Sequence, residues 1–303
     1  MTKPGIQKRT IVRTSLAGSR AVFAVAEHWA PAVGGRYAAR RWLTVPAVPP
    51  AAPEPAAGEE FALPVGDGLV RGTSHGTSHG TGPVVYLMHG WGGSGAQLSA
   101  FVDPLRQAGF RVVRFDAPSH GRSDPGAYGR GRTHGVEFAA ALAAVMRRFG
   151  PADAVVAHSM GVLPSLLVQR TGLPVRRLAL IAPVRDLDGH LDRFAALVGM
   201  GPRTRQAMDE RIAGLIGEPV ANMDVRRLRV HAGEIPLLVV HDRDDRETAH
   251  AHSVELIEGW SGPATLITTD GLGHRRILTD PLVMEQVVDF VGEAAVRPDR
   301  TAA

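Results

Sequence analysis

The chain has 303 residues, 44% of them hydrophobic and 21% charged, so it is long enough and apolar enough for one large globular domain plus an insertion. Its 34 basic and 30 acidic residues leave a formal charge of +4, and lysine occurs only at Lys3 and Lys8. No basic stretch is interleaved with aromatics, which argues against a nucleic-acid partner, and the absence of cysteine excludes disulfides and thiolate metal sites.

Near the N-terminus stand Lys3, Lys8, Arg9 and Arg13, but the apolar stretch that follows is cut by Arg20 and by Glu27-His28, too soon for a signal segment. No other run reaches membrane-spanning length, so the expectation is a cytoplasmic protein without membrane insertion. Ile11 to Trp29 suits an amphipathic helix, with Val12, Leu16, Phe23 and Ala26 apolar and Arg13 and Arg20 between them. It is read as packed on the main domain rather than lying on a membrane surface. A Pro/Ala-rich stretch, Val45 to Gly58, reads as an extended linker and closes an N-terminal segment of residues 1–58.

Short strands are expected at Phe61 to Pro64 and Leu69 to Thr73. A tandem Gly-Thr-Ser-His repeat from Gly72 to Gly82 then reads as a flexible hairpin tip. His75 and His79 have no third ligand beside them, so no metal is expected there.

From Pro83 onward, short apolar runs alternate with helix-length segments, as parallel βαβ units require. The runs are Val84 to Met88, Arg111 to Phe115, Ala154 to Ala157, Leu178 to Ile181, Leu237 to Val240 and Thr265 to Ile267. Helices are expected at Ala96 to Ala108, His134 to Phe149, Met160 to Arg170, Thr248 to Glu258 and Pro281 to Ala295. The fold class is α/β, a mostly parallel central sheet with helices on both faces. Its core is assigned to residues 59–182 and 234–297. The interval 183–233 has no convincing strand, and its Arg-rich helical pattern with Phe194, Leu197, Met200, Met208 and Leu215 predicts a small helical lid.

The strand Ala154 to Ala157 runs through Ala157-His158-Ser159-Met160-Gly161 straight into an apolar helix. This is the nucleophile-elbow pattern with Ala for the first Gly; small residues two before and two after the serine let a tight turn form. Such a turn exposes Oγ and aims the Met160 N–H, at a helix N-terminus, toward a developing oxyanion. A serine needs a base, and the base needs a carboxylate, in the chain order Ser, Asp, His. After the strand at Leu237 comes His241-Asp242-Arg243-Asp244-Asp245, and after the strand at Thr265 comes Asp270-Gly271-Leu272-Gly273-His274. Both lie past strand C-terminal ends, the edge where open α/β sheets place their sites.

From about Phe61 to Gly292 the chain resembles the α/β-hydrolase family. His89-Gly90-Trp91-Gly92-Gly93 resembles that family's oxyanion loop, which implies that Trp91 supplies a backbone N–H alongside Met160. Asp116 to Ser123 resembles the turn after the next strand, Ala157 to Gly161 the elbow, and Gly273-His274 the C-terminal histidine loop. Two positions depart from the pattern: Ala157, and Asp242 where a glycine usually stands three residues before the acid. The second leaves Asp244 as a rival to Asp245. The lid falls where such enzymes insert a cap.

The implied activity is hydrolysis of a small to medium acyl ester through an acyl-enzyme, with Ser159 as nucleophile, His274 as base and Asp245 as its orienter, and with no cofactor or metal. His89, His120 and His158 are assigned to loop backbone groups and Asp116 to a turn. The lid arginines, among them Arg193, Arg203, Arg205 and Arg211, are assigned to a solvated face. The expected partner is a small acyl molecule, and oligomeric state stays open. One rival comes from another chemistry. Gly90-x-Gly92-x-x-Gly95 follows a strand, and Asp116 stands 21 residues after Gly95, as in a dinucleotide fingerprint that would serve an NAD(P)-dependent oxidoreductase. A non-catalytic binding protein on the same fold is the third reading.

Overall fold

The computed structural model describes residues 18–46, 58–76 and 82–293. The segment before residue 18, most of the linker and the second repeat copy with His79 lie outside the described residues. The chain divides into two compact units, Val45–Arg185 with Val225–Ala303, and Met1–Thr44 with Asp186–Asp224.

The larger unit holds one eight-stranded sheet in the order β1-β2-β4-β3-β5-β6-β7-β8. β1 (Glu59–Val65) and β2 (Gly68–His75) form an antiparallel hairpin, closed at Gly66 with φ 58°. β2 also pairs antiparallel with β4 (Arg111–Phe115), and the remaining pairs are parallel. These are β3 (Val84–Met88), β5 (Ala152–His158), β6 (Leu178–Ile181), β7 (Leu237–Asp242) and β8 (Ala264–Thr269). β3 is apolar and buried throughout because helices cover both faces of a central parallel strand.

Alternation sorts the side chains. Val85, Leu87, Val112, Ala154, Val156, Ala179, Ile181, Leu238 and Val240 share one core cluster with Leu98, Phe101, Leu105, Val283, Val287 and Val291 from the covering helices. Those helices differ in detail from the expected ones. The segment Gly95–Phe101 is 3-10 before a short α-helix, Val102–Gln107, and the helix after the elbow is α only over Val162–Leu167.

The first copy of the repeat is not a flexible tip. Gly72 to His75 complete β2, with Thr73, Ser74 and His75 buried against β4. The Arg114 Nε–H donates to His75 Nε2 at 3.2 Å, so this imidazole is part of the sheet.

The smaller unit joins residues far apart in sequence. A helix over residues 18–29 turns at Ala30 into a second, Pro31–Trp42, and both pack with Leu187–Val198 and Pro202–Ile216. The close approach is made by small residues: a Cβ on Gly35 would lie 2.6 Å from the Ala207 carbonyl carbon, and one on Gly34 would lie 2.8 Å from Thr204 Cγ2. Phe23, Ala38, Ala39, Leu191, Met208 and Ile212 fill the centre, and Trp42 meets Phe194 at 5.6 Å. The N-terminal helices therefore pack with the inserted segment, a pairing the sequence reading did not anticipate. Phe194, Met200 and Met208 of the expected lid are used in this core, while Leu197 is exposed. Arg205 is no solvated arginine either. It pairs with Asp188, Asp192 and Asp209 at 3.0–3.2 Å, and burial pushes the Asp209 carboxyl up to about 6.

Candidate active site

Ser159 sits where β5 ends and a 3-10 turn begins, with φ 55°. A non-glycine residue at positive φ is strained, by roughly 1 kcal/mol or more, and persists only where its surroundings hold it. The surroundings here are tight. A Cβ on Gly161 would come within 2.6 Å of the His89 carbonyl oxygen and 2.7 Å of that of Met88, so this position needs glycine. Ala157 is fully buried, and a Cβ on Gly90 would stand 3.0 Å from Ser159 Cβ, so the loop after β3 lies directly beside the serine.

From this elbow a chain of contacts runs through His274. Its Nε2 is 2.9 Å from Ser159 Oγ and its Nδ1 is 2.7 Å from Asp245 Oδ2. That pairing fixes the tautomer in the neutral ring: Nδ1–H donates to the carboxylate and Nε2 is free to accept from the hydroxyl. The structure brings Asp245, not Asp244, to the imidazole. Asp244 instead accepts the Gly271 N–H at 3.1 Å.

The Asp245 carboxylate is fully buried, and burial by itself would raise its pKa. Hydrogen bonds from His241 and His274, with others from Thr248, outweigh that and hold it well below the usual carboxylate range. Asp242, the residue standing where a glycine was expected, is buried too. It accepts from Thr269 Oγ1 at 2.7 Å, Leu272 N at 2.9 Å and Asp244 N at 3.0 Å, and these bonds hold it below the usual range against the pull of burial. One carboxylate thus ties the acid turn after β7 to the histidine loop after β8.

Two residues of this network carry no role in the sequence reading. His241 donates Nε2–H toward Asp245 Oδ2 at 3.2 Å, with Nδ1 accepting from Ser253 Oγ at 2.6 Å. Thr248 gives that same Asp245 oxygen its hydroxyl at 2.9 Å. The available signal was a histidine and an aspartate extending an otherwise apolar buried strand, where polar groups need partners.

The other loop histidines act on backbone groups. His89 accepts Ala117 N–H at Nε2 (3.0 Å) and donates Nδ1–H to the Gly90 carbonyl (2.8 Å). His120 accepts Gly92 N–H at Nε2 (3.0 Å), and burial pushes its pKa down to about 3. His158 donates Nε2–H to the His274 carbonyl at 2.9 Å, and burial pushes it to about 3 as well. Trp91 and Met160 flank Ser159 on the two loops. The backbone bonds of these turns run from Gly93 N–H to Gly90 and from Val162 N–H to Ser159.

The glycine loop offers little to a dinucleotide. Asp116 gives Oδ1 to Gly95 N–H at 2.7 Å and Oδ2 to Arg122 N–H at 2.8 Å, so both carboxylate oxygens are engaged by the backbone of its own turn and of the glycine loop. Beside His274 a cleft of about 830 Å³ lies between the acid turn and the histidine loop, lined by Arg243, Arg246, Arg275, Arg276 and Glu247 among others. Among the described residues, no three His, Cys, Asp or Glu groups are placed to hold a metal ion.

Residues 83–206 match the family model for the alpha/beta hydrolase fold. The chain has the α/β-hydrolase fold. Solved structures of that fold superpose over most of it. A predicted CIB-like hydrolase from Thermoplasma acidophilum is 18% identical with a TM-score of 0.57, over 78% of this chain and 99% of the other. Est1E from Butyrivibrio proteoclasticus, solved with ferulic acid, is 18% identical with a TM-score of 0.57, over 78% of this chain and all of its own. A monoacylglycerol lipase from Paleococcus ferrophilus is 22% identical with a TM-score of 0.56, over 74% of this chain and 99% of its own. A search of curated proteins finds no match. In this α/β-hydrolase fold, Ser159, Asp245 and His274 all follow strand C-terminal ends on β5, β7 and β8. No described helix is long and apolar enough to cross a membrane.

Proposed function

We propose that the protein is a serine hydrolase acting on a small to medium acyl ester or a related acyl compound. The observation that carries this reading is the continuous line from Ser159 Oγ through both His274 nitrogens to the buried Asp245 carboxylate. Ser159 Oγ attacks the acyl carbon as His274 Nε2 takes its proton, and the oxyanion of the tetrahedral intermediate accepts the N–H groups of Trp91 and Met160. Collapse expels the alcohol, which takes the proton back from His274 and leaves an acyl-Ser159 ester. Water then attacks that ester with His274 as base, the acid departs, and Ser159 recovers its proton. Asp245 stays ionised and stabilises the imidazolium formed in each half.

Structures on this fold lend support: one is named a monoacylglycerol lipase, and Est1E was solved with ferulic acid, a carboxylic acid, bound. The test is labelling with a fluorophosphonate followed by peptide mass spectrometry, then turnover of an acyl-ester series. A phosphonyl adduct on Ser159 that is lost in Ser159→Ala supports the reading. Wild-type protein that neither labels nor hydrolyses any acyl ester overturns it.

A further inference from the structure

The N-terminal hairpin has an outer side that neither unit's core uses. Across the turn at Ala30 the two helices fold back, Phe23 meeting Tyr37 at 6.0 Å between ring centroids, and a Cβ on Gly34 would lie 2.7 Å from Ala26 Cβ. Phe23, Ala38 and Ala39 point inward and are buried. Val22, Val25 and Trp29 stand at helical spacing on the first helix, Val33 and Tyr37 on the second, and all five are exposed, Trp29 by 86%. Among the described residues these make up five of the nine large hydrophobics left in solvent, gathered within 16 positions. A cluster of that kind marks an interaction surface.

Charge indicates what would cover it. Residues 1–44 hold eight lysines and arginines against one acid, Glu27, whereas the rest of the chain has 26 basic residues against 29 acidic. Glu27 is turned onto the smaller unit's own backbone, where it accepts the N–H groups of Arg203 and Thr204 at 2.9 Å each. Arg20, Arg36, Arg40 and Arg41 are exposed beside the apolar row, and Lys3, Lys8, Arg9 and Arg13 precede it in sequence. A second copy of the chain would set eight cations against eight. A nucleic acid would answer the charge and leave Val22, Val25 and Val33 wet. An anionic bilayer surface answers both, because phosphate headgroups attract arginine while Trp, Tyr and Val settle at the acyl boundary.

We propose that the helical hairpin formed by residues 18–42 docks this protein on membrane surfaces rich in anionic lipid, lying in the interface without spanning it. The proposal does not depend on Ser159 chemistry, and its test needs no activity. Purified full-length protein would be sedimented with vesicles of phosphatidylcholine alone and with vesicles containing about one-third phosphatidylglycerol. Binding is expected to the anionic vesicles and not to the neutral ones, and to weaken in high salt. Trp29→Ser should lower the partition coefficient about tenfold, as should the double change Arg40→Glu with Arg41→Glu. Circular dichroism melts unchanged from wild type would show that these exposed positions leave the fold intact. Absence of wild-type binding to anionic vesicles, or equal binding by Trp29→Ser, would overturn the proposal. So would a sedimentation-velocity dimer that Trp29→Ser converts to monomer, since the face would then belong to a second copy.

Discussion

His241 Nε2 lies 3.2 Å from Asp245 Oδ2, the same oxygen that His274 Nδ1 contacts at 2.7 Å, so two histidines converge on one buried carboxylate. With Ser253 on its other nitrogen, His241 is held in one orientation and helps keep Asp245 aimed at His274. His241→Asn should lower kcat on an activated ester about tenfold with little change in KM, as for a group acting through another. Fluorophosphonate labelling should slow in parallel. A kcat equal to wild type in a folded variant would remove this role.

Ser159→Ala and His274→Ala should each reduce kcat about a thousandfold or more, because the residues act as a unit. The elbow adds a stability signature. At φ 55°, alanine keeps the Cβ that strains the turn and glycine does not, so Ser159→Gly should be more stable than Ser159→Ala by about 1 kcal/mol. Urea unfolding of the two inactive variants measures the difference. Equal stability would mean the turn is relaxed.

For the acid, Asp245→Asn should cost far more activity than Asp244→Asn, since only Asp245 touches His274 while Asp244 accepts a backbone N–H from the histidine loop. Steady-state kinetics on the two purified proteins decides it, and the reverse ranking would place the carboxylate at 244.

Stability should fall as pH drops below about 6.5, earlier than carboxylate titration alone would dictate. His120 and His158 have folded pKa values pushed to about 3 by burial, so the unfolded chain takes up their protons first. Their contribution is complete above the unfolded histidine pKa and is lost as pH falls toward the folded one. Asp245 adds to the loss at lower pH: its folded pKa is depressed, so its contribution is present above about 3.9 and disappears below. Urea midpoints measured at intervals from pH 7.5 down would show the decline, and a flat curve to pH 5 would contradict it.

Calorimetric titration with NADH and NADPH should give no heat of binding, because Asp116 already holds Gly95 and Arg122. Asp116→Ala should instead lower stability by about 2 kcal/mol through the N–H groups it strands. Micromolar affinity for either nucleotide would revive the oxidoreductase reading.

The sequence by itself determined the local pattern of the larger unit. Buried parallel strands must be apolar on both faces, so Val84–Met88 and Leu178–Ile181 were legible to the residue. The elbow was legible because steric demand writes small residues at fixed offsets from Ser159, and chain order then pointed to the regions of Asp245 and His274. What only the tertiary structure decided involves partners that no short-range period connects. That Asp245 and not Asp244 meets His274 goes with how Asp242 ties the turn after β7 to the loop after β8, through bonds between residues 27 to 30 positions apart. The pairing of the N-terminal helices with the inserted segment rests on contacts such as Glu27 with Thr204, 177 positions apart. An amphipathic stripe reports that a face will be buried and is silent on what buries it, and for that reason Met208 and Phe194 read only as lid residues in sequence and serve as core with the N-terminal helices in the fold.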